Sequence, residues 1–149
     1  MSVDEIRNLI KKANKFTTSS ELLLKSEDYD SAVSRAYYSM FFATEALLLT
    51  KGLVPKSHSG LISLFGNYFV KQNIFPKEMG RQLNRAFDKR QIGDYATVII
   101  SDKKDAENIV KIGKEFVDKI IIYLKANNFR LGLLIIFNKD GVKVKRIIN

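Results

Sequence analysis

The segment that most restricts the fold is residues 31–49, SAVSRAYYSMFFATEALLL, which hold no Gly or Pro and only two charges, Arg35 and Glu45. Ala32, Ala36, Met40, Ala43 and Leu47 recur at spacings of three and four, the period of one helical face. Val33, Tyr37, Phe41 and Leu48 fill a neighbouring face, so a helix here is apolar over most of its circumference. Such a helix needs partners on several sides, as in the middle of a bundle. Its length approaches a bilayer span, but Arg35, Glu45 and the Ser and Thr residues between them argue against lipid. The segment predicts the central helix of a soluble all-α core.

The rest of the chain can supply the partners. Its 149 residues suit one domain with a real core. Over residues 3–25, Ile6, Leu9, Ile10, Ala13, Phe16, Ser20 and Leu23 share a helical face. Glu27-Asp28-Tyr29-Asp30 breaks that pattern, and Asp30 or Ser31 is the expected N-cap of the central helix, its side-chain oxygen taking a free backbone N–H. Gly52 should end that helix by supplying a left-handed position. Pro55 pushes Val54 toward an extended conformation, after which Ser57 can cap a third helix over residues 58–72. Pro76 is well placed to start a fourth, with Met79, Leu83, Ala86 and Phe87 as its stripe. That helix is expected to run to about Gln91 and to be closed by Gly93. Ser101 should cap a fifth, ending near Ala126.

Composition changes after that point. Residues 130–137 (RLGLLIIF) and 142–148 (VKVKRII) read as two strands joined through Asp140-Gly141, a hairpin signal between apolar runs. A lone hairpin is marginal in water, so it is expected to dock on the bundle, on a twin or on another protein. The expected organisation is a helical bundle over residues 1–126 and a C-terminal β-hairpin over 127–149.

Composition also excludes chemistry. With no Cys and one His, disulfides, thiolate metal sites and multi-histidine metal sites are ruled out. No acidic pair announces a carboxylate-bound Mg²⁺, so no metal or cofactor is expected. The N-terminal MSVDEIRNLIKKANK lacks an apolar run, which suggests no signal peptide and a cytoplasmic protein. The formal charge is +9, from 25 basic and 16 acidic residues. That balance favours nucleic acid or another polyanion, and it also fits a lysine-rich solvated surface.

Three polar groups stand out. Arg35 lies in the apolar central segment, where a semi-buried guanidinium would require a carboxylate partner, for structure or for binding. Lys56-Ser57-His58-Ser59 puts a cation, two hydroxyls and an imidazole at a helix start, either an anion site or an ordinary Ser cap. Arg90-Gln91-Ile92-Gly93-Asp94-Tyr95 places Arg90 three residues after Phe87, on the side the core residues face. Arg90 could hold a phosphate or stabilise developing charge, or simply pair with Asp94 at i, i+4.

Taken together, Ser34-Arg35-Ala36-Tyr37-Tyr38 with Met40-Phe41, Lys56-Ser57-His58-Ser59-Gly60-Leu61, Phe65 and the stretch from Arg90 to Tyr95 resemble the HEPN domain family, over roughly residues 1–122. The resemblance implies an antiparallel four-to-five-helix bundle, commonly a homodimer. It also implies work beside a minimal nucleotidyltransferase as a toxin–antitoxin pair, and, in many members, metal-independent ribonuclease activity. Catalytic members resemble one another in an Arg followed after four to six residues by His. Counting from Arg90, the last such positions here hold Tyr95, Ala96 and Thr97, and the single His is His58. The tail is similar to the C-terminal end of the GxxExxY family over about its last twenty-seven residues. The motif that names that family is absent, so no nuclease chemistry transfers.

The expected function is an RNA- or nucleotide-binding component of a nucleotidyltransferase-linked toxin–antitoxin or defence system. Arg90 would contact phosphate, with Asp94 and Tyr95 beside it and Lys56, Ser57 and Arg35 as further binding candidates. The alternatives are a non-catalytic interaction or dimerisation module, and a metal-independent ribonuclease using Arg90 and His58. Convergence of Arg90 and His58 across a dimer cleft favours binding or catalysis; Arg90 buried against Asp94 and far from His58 favours a scaffold.

Overall fold

A computed structural model describes residues 3–127 as five α-helices and one π-helical turn. These are α1 (Val3–Lys25), α2 (Tyr29–Leu49), α3 (His58–Phe65), the π turn (Gly66–Val70), α4 (Lys77–Tyr95) and α5 (Lys103–Ala126). The expected β-hairpin lies outside the described residues, and there is no strand among them. None of the described helices is long and apolar enough to cross a membrane.

α2 is the central element, as its two apolar faces require, and it packs on α1, α4, α5 and α3. Its register on α1 is antiparallel: Lys12 Nζ sits 4.4 Å from the Phe42 ring centre, and the Phe16 ring 6.3 Å from that of Tyr38. α5 also packs on α2, and comes close because of Gly113. A Cβ there would stand 3.3 Å from the Ala36 carbonyl oxygen and 3.4 Å from its Cβ. The buried hydroxyls of α2 do not break this apolar packing. Ser39 donates to the Ala36 carbonyl at 2.7 Å and Thr44 to that of Met40 at 2.8 Å, so each is satisfied within its own helix.

Phe65, Phe69, Phe75 and Phe116 cluster at one end of the core. The connection to that end keeps the expected stop: Gly52 has φ +70°, the left-handed conformation glycine adopts without strain.

Four local expectations are corrected. The N-cap of α2 is Asp28, whose carboxylate accepts the Ser31 N–H at 3.4 Å, and neither Asp30 nor Ser31 occupies that position. The third helix gives way at Gly66 to a π turn, and Phe69 is buried there. Gly93 does not close α4, which continues to Tyr95. Gly93 faces Asp30, where a Cβ on it would lie 3.4 Å from Oδ1, an ordinary contact. Finally, α5 is capped by Asp102, which accepts the Asp105 N–H at 2.8 Å. The Ser101 backbone N–H is instead donated to Asp30, at 2.8 Å.

Asp30 thus ties the α4–α5 connector to the start of α2: one carboxylate oxygen accepts Ser101 N–H and the other accepts Ile100 N–H at 3.0 Å. Burial alone would raise its pKa, but these two donors outweigh burial and hold the carboxyl below its ordinary value.

Candidate functional site

Position 90 follows Phe87 by one helical turn, so α4 directs Arg90 toward α2. Its side chain is only 11% exposed. One guanidinium nitrogen donates to the Tyr38 hydroxyl at 2.8 Å and pairs with Asp94 at 3.4 Å. The guanidinium carbon lies 5.5, 5.3 and 5.9 Å from the ring centres of Tyr37, Tyr38 and Phe87, within cation–π range. Its Nε is buried with no hydrogen-bond partner among the described residues.

His58 opens α3. Ser57 caps that helix by accepting the Gly60 N–H at 2.9 Å, which fixes where the imidazole projects. The ring stacks on Phe87 at 5.6 Å with 16° between planes and lies 4.7 Å from Phe41. Its Nδ1 is 2.6 Å from the Tyr37 hydroxyl oxygen. Arg90 and His58 therefore share Tyr37, Tyr38 and Phe87 as neighbours, inside a single chain.

The electrostatics of this box favour a neutral imidazole. Burial, reinforced by the Arg90 charge, lowers the His58 pKa. Burial also pushes the Tyr37 hydroxyl well above its ordinary value, despite the attraction of Arg90 for a phenolate. Tyr37 is thus protonated near neutral pH, and its ring is fully buried. Among the described residues, His58 Nδ1 is the one partner found for its hydroxyl. With Tyr37 donating, the neutral imidazole carries its proton on Nε2. Arg90 and His58 then both present N–H groups.

Comparison with known proteins matches a family model for the HEPN domain to residues 6–123. The chain belongs to the HEPN family. It is 43% identical, over 86% of its length and 87% of the relative's, to a Methanocaldococcus jannaschii protein named "Putative toxin MJ0142". It is 38% identical to "Putative toxin MJ0605" of the same organism, over 82% of this chain and 90% of the other. A Thermotoga maritima "UPF0332 protein" is 36% identical, over 74% of this chain and 83% of its own.

In this HEPN domain the other residues read from sequence are distributed unevenly. Asp94 touches Arg90 from the next turn of α4. Tyr95 is 81% exposed, beyond the aromatic box. Lys56 and Ser57 flank His58 at the surface. Arg35 is not semi-buried. It is exposed, with its guanidinium over the Phe16 ring at 4.9 Å, because the stem lies along α1 while the head reaches water. Arg35 and Asp94 do face a common open cleft of about 430 Å³, lined also by Leu23, Asp30, Ser31, Ser34 and Gly93. Among the described residues no cluster of His, Asp and Glu could hold a metal ion.

Sequence reasoning missed the residues that orient Arg90 and His58. Tyr37, Tyr38 and Phe87 look like core aromatics, and most of their surface is. The available signal was the Tyr-Tyr doublet. Successive helical residues point about 100° apart, so one hydroxyl could reach α3 and the other α4.

Proposed function

We propose that this HEPN domain is the RNA- or nucleotide-binding, toxin-like member of a nucleotidyltransferase-linked toxin–antitoxin or defence pair, acting in the cytoplasm, with Arg90 as phosphate ligand. The observation that carries this reading is the convergence of Arg90 and His58 on one aromatic box. A guanidinium 11% exposed, with a buried Nε left over, is more than a solvated charge. Imidazole N–H and guanidinium N–H groups side by side suit the oxygens of one phosphate. The net charge of +9 adds a favourable field for a polyanion. A homodimer fits the same end of the molecule. Ile92, Tyr95, Val98, Ile99 and Ile100 form a run of exposed apolar side chains beside the site.

A second reading, metal-independent ribonuclease, is favoured by the position of His58. It brings to Arg90 the imidazole that the usual Arg-to-His spacing does not provide here. In that chemistry neutral His58 accepts the ribose 2′-hydroxyl proton as the 2′-oxygen bonds to phosphorus. The bond from phosphorus to the 5′-oxygen breaks as that oxygen takes a proton from solvent water, and Arg90 stabilises the charged phosphorane. Nε2 would have to start unprotonated, so Tyr37 would have to accept from Nδ1–H. The tautomer argued above favours binding over this step.

The test uses labelled single-stranded RNA with the purified full chain in EDTA, comparing wild type, Arg90→Ala and His58→Ala. Binding weakened at least tenfold by Arg90→Ala, without cleavage, is the expected result. Cleavage lost in both variants establishes the ribonuclease instead. Neither binding nor cleavage overturns both readings and leaves an interaction module with a structural Arg90.

A further inference from the structure

The helical surfaces of this protein differ in the sign of their charge. The exposed face of α1 mixes Asp4 and Glu5 with Lys11 and Lys15, and that of α5 mixes Glu107 and Asp118 with Lys111 and Lys114. A segment between them in sequence does not. Residues 46–77 contain four Lys and His58 but no Asp or Glu, although 16 of the chain's 149 residues are acidic. This acid-free segment comprises the end of α2, α3, the π turn and the connector into α4.

Its polar residues are ordered as well as one-signed. Leu61, Phe65 and Phe69 turn inward, and on the opposite side Ser59, Ser63, Asn67 and Lys71 are exposed at every fourth position. Lys56 precedes this stripe beside His58, and Tyr68 lies next to it with 43% of its surface exposed. At 1.5 Å per residue, Ser59 to Lys71 spans about 18 Å. One end of the stripe is the Arg90–His58 box. A solvated face in water tolerates either sign of charge and commonly mixes them. Ser and Asn hydroxyls and amides framed by Lys, with an aromatic ring alongside, are the groups that grip a sugar–phosphate backbone and stack a base.

We infer that the α3–π-turn face is a track for single-stranded RNA, carrying the strand away from a phosphate held at Arg90. This extends the binding function proposed above and rests on it for the strand's anchor. Lys56 and Lys71 take phosphates at the two ends, Ser63 and Asn67 hydrogen-bond between them, and Tyr68 offers a ring face to a base. The acid-free segment also suits an acidic protein, but the exposed aromatic and the adjoining phosphate site favour nucleic acid.

The test measures binding of labelled RNAs of about 4 and about 16 nucleotides over a salt series. It compares wild type, Arg90→Ala, the double variant Lys56→Gln/Lys71→Gln, and Ser63→Glu, which places an acid in the stripe. All three track positions are exposed, so folding is preserved. The double variant is expected to weaken the long RNA roughly tenfold and to flatten its log–log salt slope by about 1.4, for two lost single-strand phosphate contacts. Ser63→Glu should weaken the long RNA several-fold and move the short RNA no more than about twofold, whereas the double variant, which also removes Lys56 beside the box, should weaken the short RNA less than the long one. Arg90→Ala should weaken both lengths. If Arg90→Ala spares the short RNA, the anchor fails while the long-RNA result still judges the track. Unchanged long-RNA affinity and slope in both track variants overturn the track, and so does equal weakening of both lengths.

Discussion

Asp30 gives the most quantitative test of the structure, because one carboxylate closes the gap between α2 and the α4–α5 connector. Its two oxygens accept from Ile100 N–H at 3.0 Å and Ser101 N–H at 2.8 Å. Ser101 is only 5% exposed, so deleting its acceptor leaves a buried donor unpaired. That costs about 1–3 kcal/mol, and the more exposed Ile100 bond adds about 0.5–1.5, for a total of about 1.5–4.5 kcal/mol in Asp30→Ala. Asp30→Asn keeps one acceptor oxygen and should lose about half as much. In urea the Asp30→Ala midpoint should fall by roughly 1–2 M, with Asp30→Asn between it and wild type. Acidification adds a signed check. The folded-state pKa is depressed, so the stabilisation is full above the unfolded value and is lost as pH falls through the folded one. The gap between wild type and Asp30→Ala should therefore narrow below about pH 4. A midpoint for Asp30→Ala within about 0.3 M of wild type, or unchanged hydrogen exchange at the Ser101 amide, would refute the tether.

Three further outcomes are expected. His58 has a lowered pKa, so below its unfolded value of about 6.5 the unfolded state binds more protons and stability declines toward acid; thermal melts from pH 8 to 5 should show this slope reduced in His58→Gln. Gly113→Val should cost about 1–3 kcal/mol in urea melts, since a Cβ would already stand 3.3 Å from the Ala36 oxygen. Asp94→Asn should tighten RNA binding about two- to fivefold while lowering stability by less than about 1 kcal/mol, as read by titration and melting of the same protein.

The helices were legible because burial here follows simple periodicity. The α1 range and the end of α5 agree with the sequence reading, and the apolar faces of residues 31–49 became the bundle's centre. Caps were less legible, because Asp28, Asp30 and Ser31 are chemically similar and only the tertiary contact to Ser101 decides which one caps. Gly93 misled because glycine marks a helix stop but is also tolerated inside a helix, and α4 runs through it to Tyr95. Arg35 misled for a related reason. Periodicity locates a Cβ, but a long cationic side chain can run along Phe16 and still reach water. At the site, Arg90 was legible from its offset to Phe87. Its meeting with His58 was not, because it depends on where the loop before α3 returns to α2.

Arg90's existing contacts determine how the binding and scaffold readings separate. Its bond to Tyr38 and its aromatic neighbours hold the guanidinium in place whether or not a ligand is present. The Asp94 contact differs in kind: 3.4 Å long, to a carboxylate side chain 42% exposed, it is a partly solvated ion pair worth about 0.2–1 kcal/mol. An arriving phosphate would have to displace only that contact, and it would bring more acceptor oxygens to the same donors. Asp94 therefore competes with ligand, and neutralising it should improve binding by the strength of the lost pair. In a scaffold the same substitution removes a stabilising contact and gives nothing back. The direction of the Asp94→Asn effect on RNA affinity thus tells a held, waiting guanidinium from one already fully used.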